Sequence, residues 1–265
     1  MATITALVTV YHGTDEHDLA RALDSLAAQT RPADELVIVA DGPVDEGVRE
    51  VIEKQDARVI WLPENVGAGP ASQAGLATID SDYTARLDSD DAAKPERFAR
   101  QLEYLEAHPE VGALGSAVEE FAQTPGDTGR VRALPENPHA YAKMNSPVNN
   151  PSVMLRTRAV KEVGGYQDVH FMEDYDLYAR LIAGGWQVRN LPESLTDFQV
   201  TDAQFARRTG REMLAAEAKM QRNLVSYGLI SRPRAAFNLA ARTAYRALPT
   251  GLLRRVYAAL FHRGR

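Results

Sequence analysis

The chain has 265 residues, a net charge of −6, 45% hydrophobic residues and no cysteine. That length and composition fit one large globular domain, or one domain with an appendage. They exclude disulfides and thiolate metal sites, and no stretch reaches the ~18 uninterrupted apolar residues of a membrane span.

Thr3 to Tyr11 is apolar and β-branched and predicts a buried strand. The first eight residues lack a basic run ahead of an apolar core, so they are expected to open that strand and not to form a leader. Asp18 to Ala28 carries Leu19, Ala22, Leu23 and Leu26 on one helical face. Glu35 to Ala40 predicts a second strand, Val44 to Gln55 a helix and Ala57 to Leu62 a third strand. Gly69 to Ala77 predicts a helix behind the Asn65-Val66-Gly67 turn, and Tyr83 to Leu87 a fourth strand. Strand and helix in alternation argue for a mostly parallel sheet covered on both faces.

Beyond it, Pro95 to Ala107 predicts an amphipathic helix and Val111 to Phe121 a strand. Thr124 to Arg132 reads as a hairpin turn or loop, and Ser152 to Leu155 as a strand. Asp174 to Ala183 reads as a helix stopped by Gly184-Gly185, and Gln187 to Leu191 as a closing strand. From Ala203 onward the chain reads as helices broken at Gly228, Pro233 and Pro249. This tail holds 13 Lys and Arg against 2 Asp and Glu, leaving the preceding part at −17. Its last segment, Gly251 to Phe261, sets Leu252, Leu253, Val256, Tyr257, Leu260 and Phe261 opposite Arg254 and Arg255. That basic amphipathic pattern suits a bilayer surface, or an apolar face docked on the body of the protein.

The polar residues at strand ends carry the chemistry. In open α/β sheets, ligands bind beyond the carboxyl ends of the strands. Tyr11-His12, Asp41-Gly42 and the run Asp88-Ser89-Asp90-Asp91 all fall there. Three carboxylates within four residues repel one another unless a cation neutralises them. Hard oxygen donors suit Mg²⁺ or Mn²⁺, which can in turn hold a diphosphate. The plainer reading is a solvated acidic loop with Asp91 capping the helix near Pro95. Likewise Asp41 is either a ligand acceptor or a turn former before Gly42. Glu173, Asp174 and Asp176 are either functional or simply favourable acids in a first helical turn.

The ordered set Val8-Thr9-Val10-Tyr11, Ala22 to Thr30, Glu35 to Pro43, Asn65-Val66-Gly67, Ala85 to Asp91, Pro95 to Phe98, Val163 to Tyr166 and Glu173 to Leu177 resembles the family-2 glycosyltransferases. The resemblance runs from about Ile4 to about Val200. It is nearest to bacterial enzymes of capsule, exopolysaccharide and O-antigen assembly. It implies the GT-A fold, a Rossmann-like sheet over residues 1–202, with the nucleotide part to about residue 92 and the acceptor part after it. Residues 203–265 then form a basic helical extension. It implies metal-dependent, inverting transfer of one sugar from a nucleoside-diphosphate donor, a UDP-sugar, to a hydroxyl of a lipid-linked saccharide.

The same resemblance implies roles for single residues. Thr9, Tyr11, Asp41 and Gly67 would line the nucleotide, with Asp41 accepting from the base. Arg86 would pair with the diphosphate or with pocket carboxylates, unless it is a surface arginine. Asp90 would hold Mn²⁺ or Mg²⁺, and Asp88 the ribose or the metal. Asp174 would be the general base that takes the acceptor proton. Asp91, Gln73, Asn150, His170 and Glu173 would be further donor or acceptor contacts. Asn150 stands where related enzymes often carry histidine, and no histidine follows Asp174 before His262. The expected setting is the inner face of the plasma membrane, with the basic tail on the lipid and no nucleic-acid partner. The competing readings are an inactive membrane-associated scaffold and a sugar-nucleotide pyrophosphorylase. The latter lacks its Gly-rich basic loop at Val10 to Asp15.

Overall fold

The computed structural model describes residues 2–201 and 211–246, apart from the side chains of Arg211, Tyr245 and Arg246. Its first part alternates β1 (Ile4–Tyr11), α1 (Glu16–Ala27), β2 (Glu35–Asp41), α2 (Glu46–Glu53), β3 (Arg58–Trp61), α3 (Ala68–Leu76) and β4 (Tyr83–Asp88). Then come β5 (Ala92–Ala93), α4 (Arg97–Ala107), β6 (Val111–Phe121), β7 (Arg130–Arg132), β8 (Met154–Arg156) and α5 (Thr157–Glu162). α6 (Glu173–Ala183), β9 (Gln187–Gln199), α7 (Arg211–Ser226) and α8 (Arg232–Arg246) complete the described strands and α-helices, and short 3-10 turns stand at Tyr141–Lys143 and Asn150–Ser152.

One sheet runs β3-β2-β1-β4-β8-β6-β9-β5, with β7 on β6. Its first four strands are parallel, as the alternating pattern predicts. β8 then runs antiparallel to both β4 and β6, while β6 and β9 pair in parallel. The sheet is therefore mixed beyond β4. β1 is buried on both faces, which explains its continuous apolar run. Ile4, Ala6, Val8 and Val10 pack with Leu19 and Leu23 of α1 and Phe98 of α4. Leu7 faces Ala71 of α3 on the other side. A Cβ on Gly75 would lie 2.5 Å from Leu7 Cδ1, so only glycine lets α3 approach the sheet this closely.

Several local expectations change. Asp91 caps no helix. Two residues of β5 intervene, and the Asp91 carboxylate accepts from the backbone N–H of Gln199 at 2.7 Å. β9 continues to Gln199, well past Leu191. The short helix α5 follows β8 directly, where periodicity gave no signal. Pro233 begins α8 instead of breaking it, because the first turn needs no N–H from that residue. α7 packs into a cluster with Val169, Met172, Tyr175 and Ala179, so the tail joins the body through α6. The amphipathic segment Gly251 to Phe261 lies outside the described residues.

Candidate active site

β4 delivers the acidic loop. β4 pairs with β1, opposing Asp88 to Thr9 at the carboxyl ends of both strands. Arg86 is 3% exposed, so it is not a surface arginine. Its Nη2 donates to Asp88 Oδ1 at 3.0 Å and to Thr9 Oγ1 at 3.4 Å. Burial acts to lower the Arg86 pKa, but Asp88, Tyr166, Tyr178 and Glu173 outweigh it and the net shift is upward. Its Nε and Nη1 are buried without a hydrogen-bond partner among the described residues. Such donors are satisfied by an anion or by bound water. Asp91 is fully buried, and burial together with the charges of Asp90 and Asp88 raises its pKa well above the carboxylate range.

α6 supplies the opposing side. Its first turn carries Glu173, Asp174 and Asp176. Asp174 Oδ1 accepts from the N–H of Tyr175 at 2.6 Å. Burial, then the charge of Asp174, pushes Glu173 up to about 7. Glu173 therefore holds a proton through weakly acidic pH. A carboxyl raised in this way beside a second one is suited to acid–base work. Asp176 has a different task, because it is fully buried and bonds Arg180, Asn223 and Tyr227.

The start of α3 lies against the first turn of α6. Asp41 accepts from the N–H groups of Val66 at 2.7 Å and Gly67 at 3.0 Å. Those bonds are what a turn-forming aspartate makes, and they fix the loop that enters α3. Gly67 has φ +92 and open space where a Cβ would stand, so backbone is presented there without a side chain. A Cβ on Gly69 would lie 3.0 Å from the Cβ of Glu173, which sets α3 tightly against α6. Gln73 is turned to the protein: its Oε1 accepts from the N–H of Tyr166 at 2.8 Å. Tyr11 donates its N–H to Thr14 Oγ1 at 3.0 Å. Asn150 Oδ1 accepts from the Tyr178 hydroxyl at 3.0 Å, a packing contact within the acceptor part. His170 is exposed, its ring 3.8 Å from that of Phe171, whose φ of +62 lies in the left-handed region.

Arg97, which the sequence reading passed over as a site residue, is fully buried beneath the β4 end. It donates to the carbonyls of Arg86 at 2.6 Å and Val153 at 3.0 Å, and to Gln101 Oε1 at 3.1 Å. Burial pulls its pKa to about 9, against the opposing charges of Asp88 and Asp91, so it stays charged at neutral pH. Tyr166 and Tyr178 are likewise buried around Arg86. An Arg or Tyr in an amphipathic pattern reads as surface, and only the packing reveals otherwise.

The glycosyl transferase family 2 model matches residues 5–160, from β1 into α5. The chain belongs to that family. Among its relatives, the amylovoran biosynthesis glycosyltransferase AmsE of Erwinia amylovora is 32% identical over 260 residues, covering 96% of this chain and 97% of that one. The UDP-Gal:alpha-D-GlcNAc-diphosphoundecaprenol beta-1,3-galactosyltransferase of Escherichia coli is 30% identical, covering 98% and 96%. Among solved structures, S. aureus TarS residues 1–349 in complex with UDP-GlcNAc matches with a TM-score of 0.67 and 16% identity, over 97% of this chain and 75% of that one. The mannosyltransferase PcManGT from Pyrobaculum calidifontis, in complex with GDP-Man and Mn²⁺, matches with a TM-score of 0.65 and 19% identity, over 98% and 80%. This glycosyltransferase thus has the GT-A fold of those structures.

Asp88 and Asp90 are chemically fit for a hard divalent cation. No cluster of three or more His, Cys, Asp or Glu among the described residues is arranged as a metal cage. Two carboxylates beside a diphosphate and water are the usual pattern for Mg²⁺. The donors here agree with that pattern and not with a soft-ligand site.

Proposed function

We propose that this glycosyltransferase moves one sugar from a UDP-sugar to a hydroxyl of a lipid-linked saccharide, with inversion, in cell-surface polysaccharide assembly. The observation that carries this reading is the meeting of the β4 end with the first turn of α6. Asp88 and Glu173 both act on Arg86, and Asp174 adjoins Glu173. A donor diphosphate and an acceptor hydroxyl brought to that crevice would have an electrophile's leaving group on one side and a base on the other. The Escherichia coli relative's use of UDP-Gal and a diphosphoundecaprenol-linked acceptor, and the place of AmsE in amylovoran biosynthesis, support the substrate class.

In this reading Asp88 and Asp90 hold Mn²⁺ or Mg²⁺. The cation supplies positive charge to the departing diphosphate. Arg86 keeps Asp88 oriented. Tyr11, Asp41 and the Gly67 backbone line the nucleoside. Asp174 accepts the acceptor proton as its oxygen attacks the anomeric carbon from the face opposite the diphosphate. The Tyr175 N–H donates to that carboxylate at 2.6 Å and orients it at the start of α6. The work is done at the inner face of the plasma membrane, where donor and lipid-linked acceptor meet.

Thermal shift with UDP and UDP-sugars, each with Mn²⁺ and with EDTA, tests the donor half, because a ligand of the folded state stabilises it. The wild type and Asp174→Asn should show a metal-dependent shift that Asp90→Asn loses. Turnover of Asp174→Asn should fall by roughly 10²–10⁴-fold. A shift indifferent to EDTA removes the metal from the scheme, and retained turnover moves the base elsewhere.

A further inference from the structure

The acidic loop after β4 is gripped from two distant parts of the chain. From α1, Arg21 Nη2 donates to the backbone carbonyl of Asp90 at 2.9 Å. Arg21 Nη1 pairs with Asp18 Oδ1 at 2.7 Å. Asp18 also accepts at both oxygens, at 3.2 and 3.1 Å, from Nε2 of Gln199, the last residue of β9. The backbone N–H of Gln199 in turn donates to Asp91 Oδ1 at 2.7 Å. The circuit closes on itself: Asp90, Arg21, Asp18, Gln199, Asp91. The Phe121 ring lies 5.0 Å from the Arg21 guanidinium carbon, which limits its freedom to swing away.

This arrangement does more than join α1 to β9. It fixes the backbone of Asp90 from its own carbonyl and the next residue from its side chain. Mg²⁺ and Mn²⁺ sites built on two carboxylates tolerate little error in ligand placement. Groups behind the ligands that orient them commonly set metal affinity by roughly 10–100-fold.

We infer that Arg21 and Gln199, coupled through Asp18, are positioning residues that set the cation affinity of the Asp88–Asp90 loop. The inference rests on the metal reading of that loop. Its test is Mn²⁺ titration, followed by the paramagnetic resonance of free Mn²⁺, on the full chain with UDP and separately with GDP. Melting temperature is measured in parallel. Arg21→Met should raise the Mn²⁺ dissociation constant roughly 10–100-fold, and Arg21→Lys, which keeps the charge and a donor, should recover part of the loss. Gln199→Met removes only the side-chain link to Asp18 and keeps the backbone bond to Asp91. It should weaken Mn²⁺ in the same direction by less, and it carries the test if Arg21→Met does not fold. A mere staple of the fold would lower the melting temperature and leave the Mn²⁺ constant as in the wild type, and that result overturns the inference. A wild type that takes up no Mn²⁺ with either nucleotide overturns the metal reading and this inference with it.

Discussion

At the residue scale, Glu173 shows how packing changes the chemistry of an ordinary acid in a first helical turn. Glu173 is pushed to about 7, chiefly by burial and then by the charge of the neighbouring Asp174. The folded chain holds the Glu173 proton more tightly than the unfolded chain, whose glutamate titrates near 4.5. Protonation of Glu173 therefore supports the fold fully below pH 4.5, and that support is lost as pH rises to about 7. Glu173→Gln has no such proton to lose. The difference in melting temperature between Glu173→Gln and the wild type, read in EDTA, should grow in favour of the variant across that window and level off above it. A constant difference would mean that Glu173 titrates normally. The acidic character of this turn was legible in the sequence, but the division of labour was not. Asp176 looked like a third acid of the same kind, and its burial against Arg180, Asn223 and Tyr227 makes it structural.

At the element scale, α7 and α8 are joined to the acceptor part by buried polar links. Asp176 of α6 accepts from Asn223 and Tyr227, both at 2.8 Å. Arg242 of α8 donates to the Met144 carbonyl and to Asn145 Oδ1, while pairing with Glu217 of α7 at 2.6 Å. Asn238 donates to the carbonyl of Lys143 at 2.8 Å. The helix that carries the proposed base and the segment leading to Asn150 thus share one support. Removing a buried acceptor strands its donors, at about 2–4 kcal/mol. Asp176→Ala should lower the melting temperature by roughly 5–15 °C in calorimetry. An unchanged melting temperature would show that α7 is held to α6 by apolar packing alone. Element type was largely readable, because buried strands and amphipathic helices have distinct periods. The misses were β5, β7, α5 and the length of β9, and each is short or set by a partner strand. Two alanines have no strand signature until the end of β9 lies beside them.

At the scale of the whole molecule, charge separates the two ends of the chain. The basic tail seen in the sequence includes α8, whose span Arg232–Arg246 contains no acidic residue. Phe237 on that helix is 60% exposed. No described helix is long and apolar enough to cross a membrane. A basic helix with an exposed aromatic residue suits the surface of an anionic bilayer. The protein should co-sediment with vesicles of phosphatidylcholine and phosphatidylglycerol, and less so with phosphatidylcholine alone. About 0.5 M salt should release it, since screening acts over a few ångströms there. Binding indifferent to lipid charge and salt would assign the tail to protein packing instead.

The sequence by itself determined the parallel half of the sheet and the family, because hydrophobic period and ordered short motifs are local properties of the chain. It also marked Asp88, Asp90 and Asp174, since crowded carboxylates at a strand end or a helix start are legible wherever they occur. Tertiary structure alone decided which polar residues are buried and what they face. Asp91, read as a helix cap or a donor contact, is buried and accepts from Gln199, and Arg97, given no role of its own, is a buried charge under β4. Gln73 became the bracket of the Tyr166 turn. The Asp91 and Gln73 outcomes depend on groups 108 and 93 positions apart in the chain coming into contact, and no local pattern of residues encodes such a meeting.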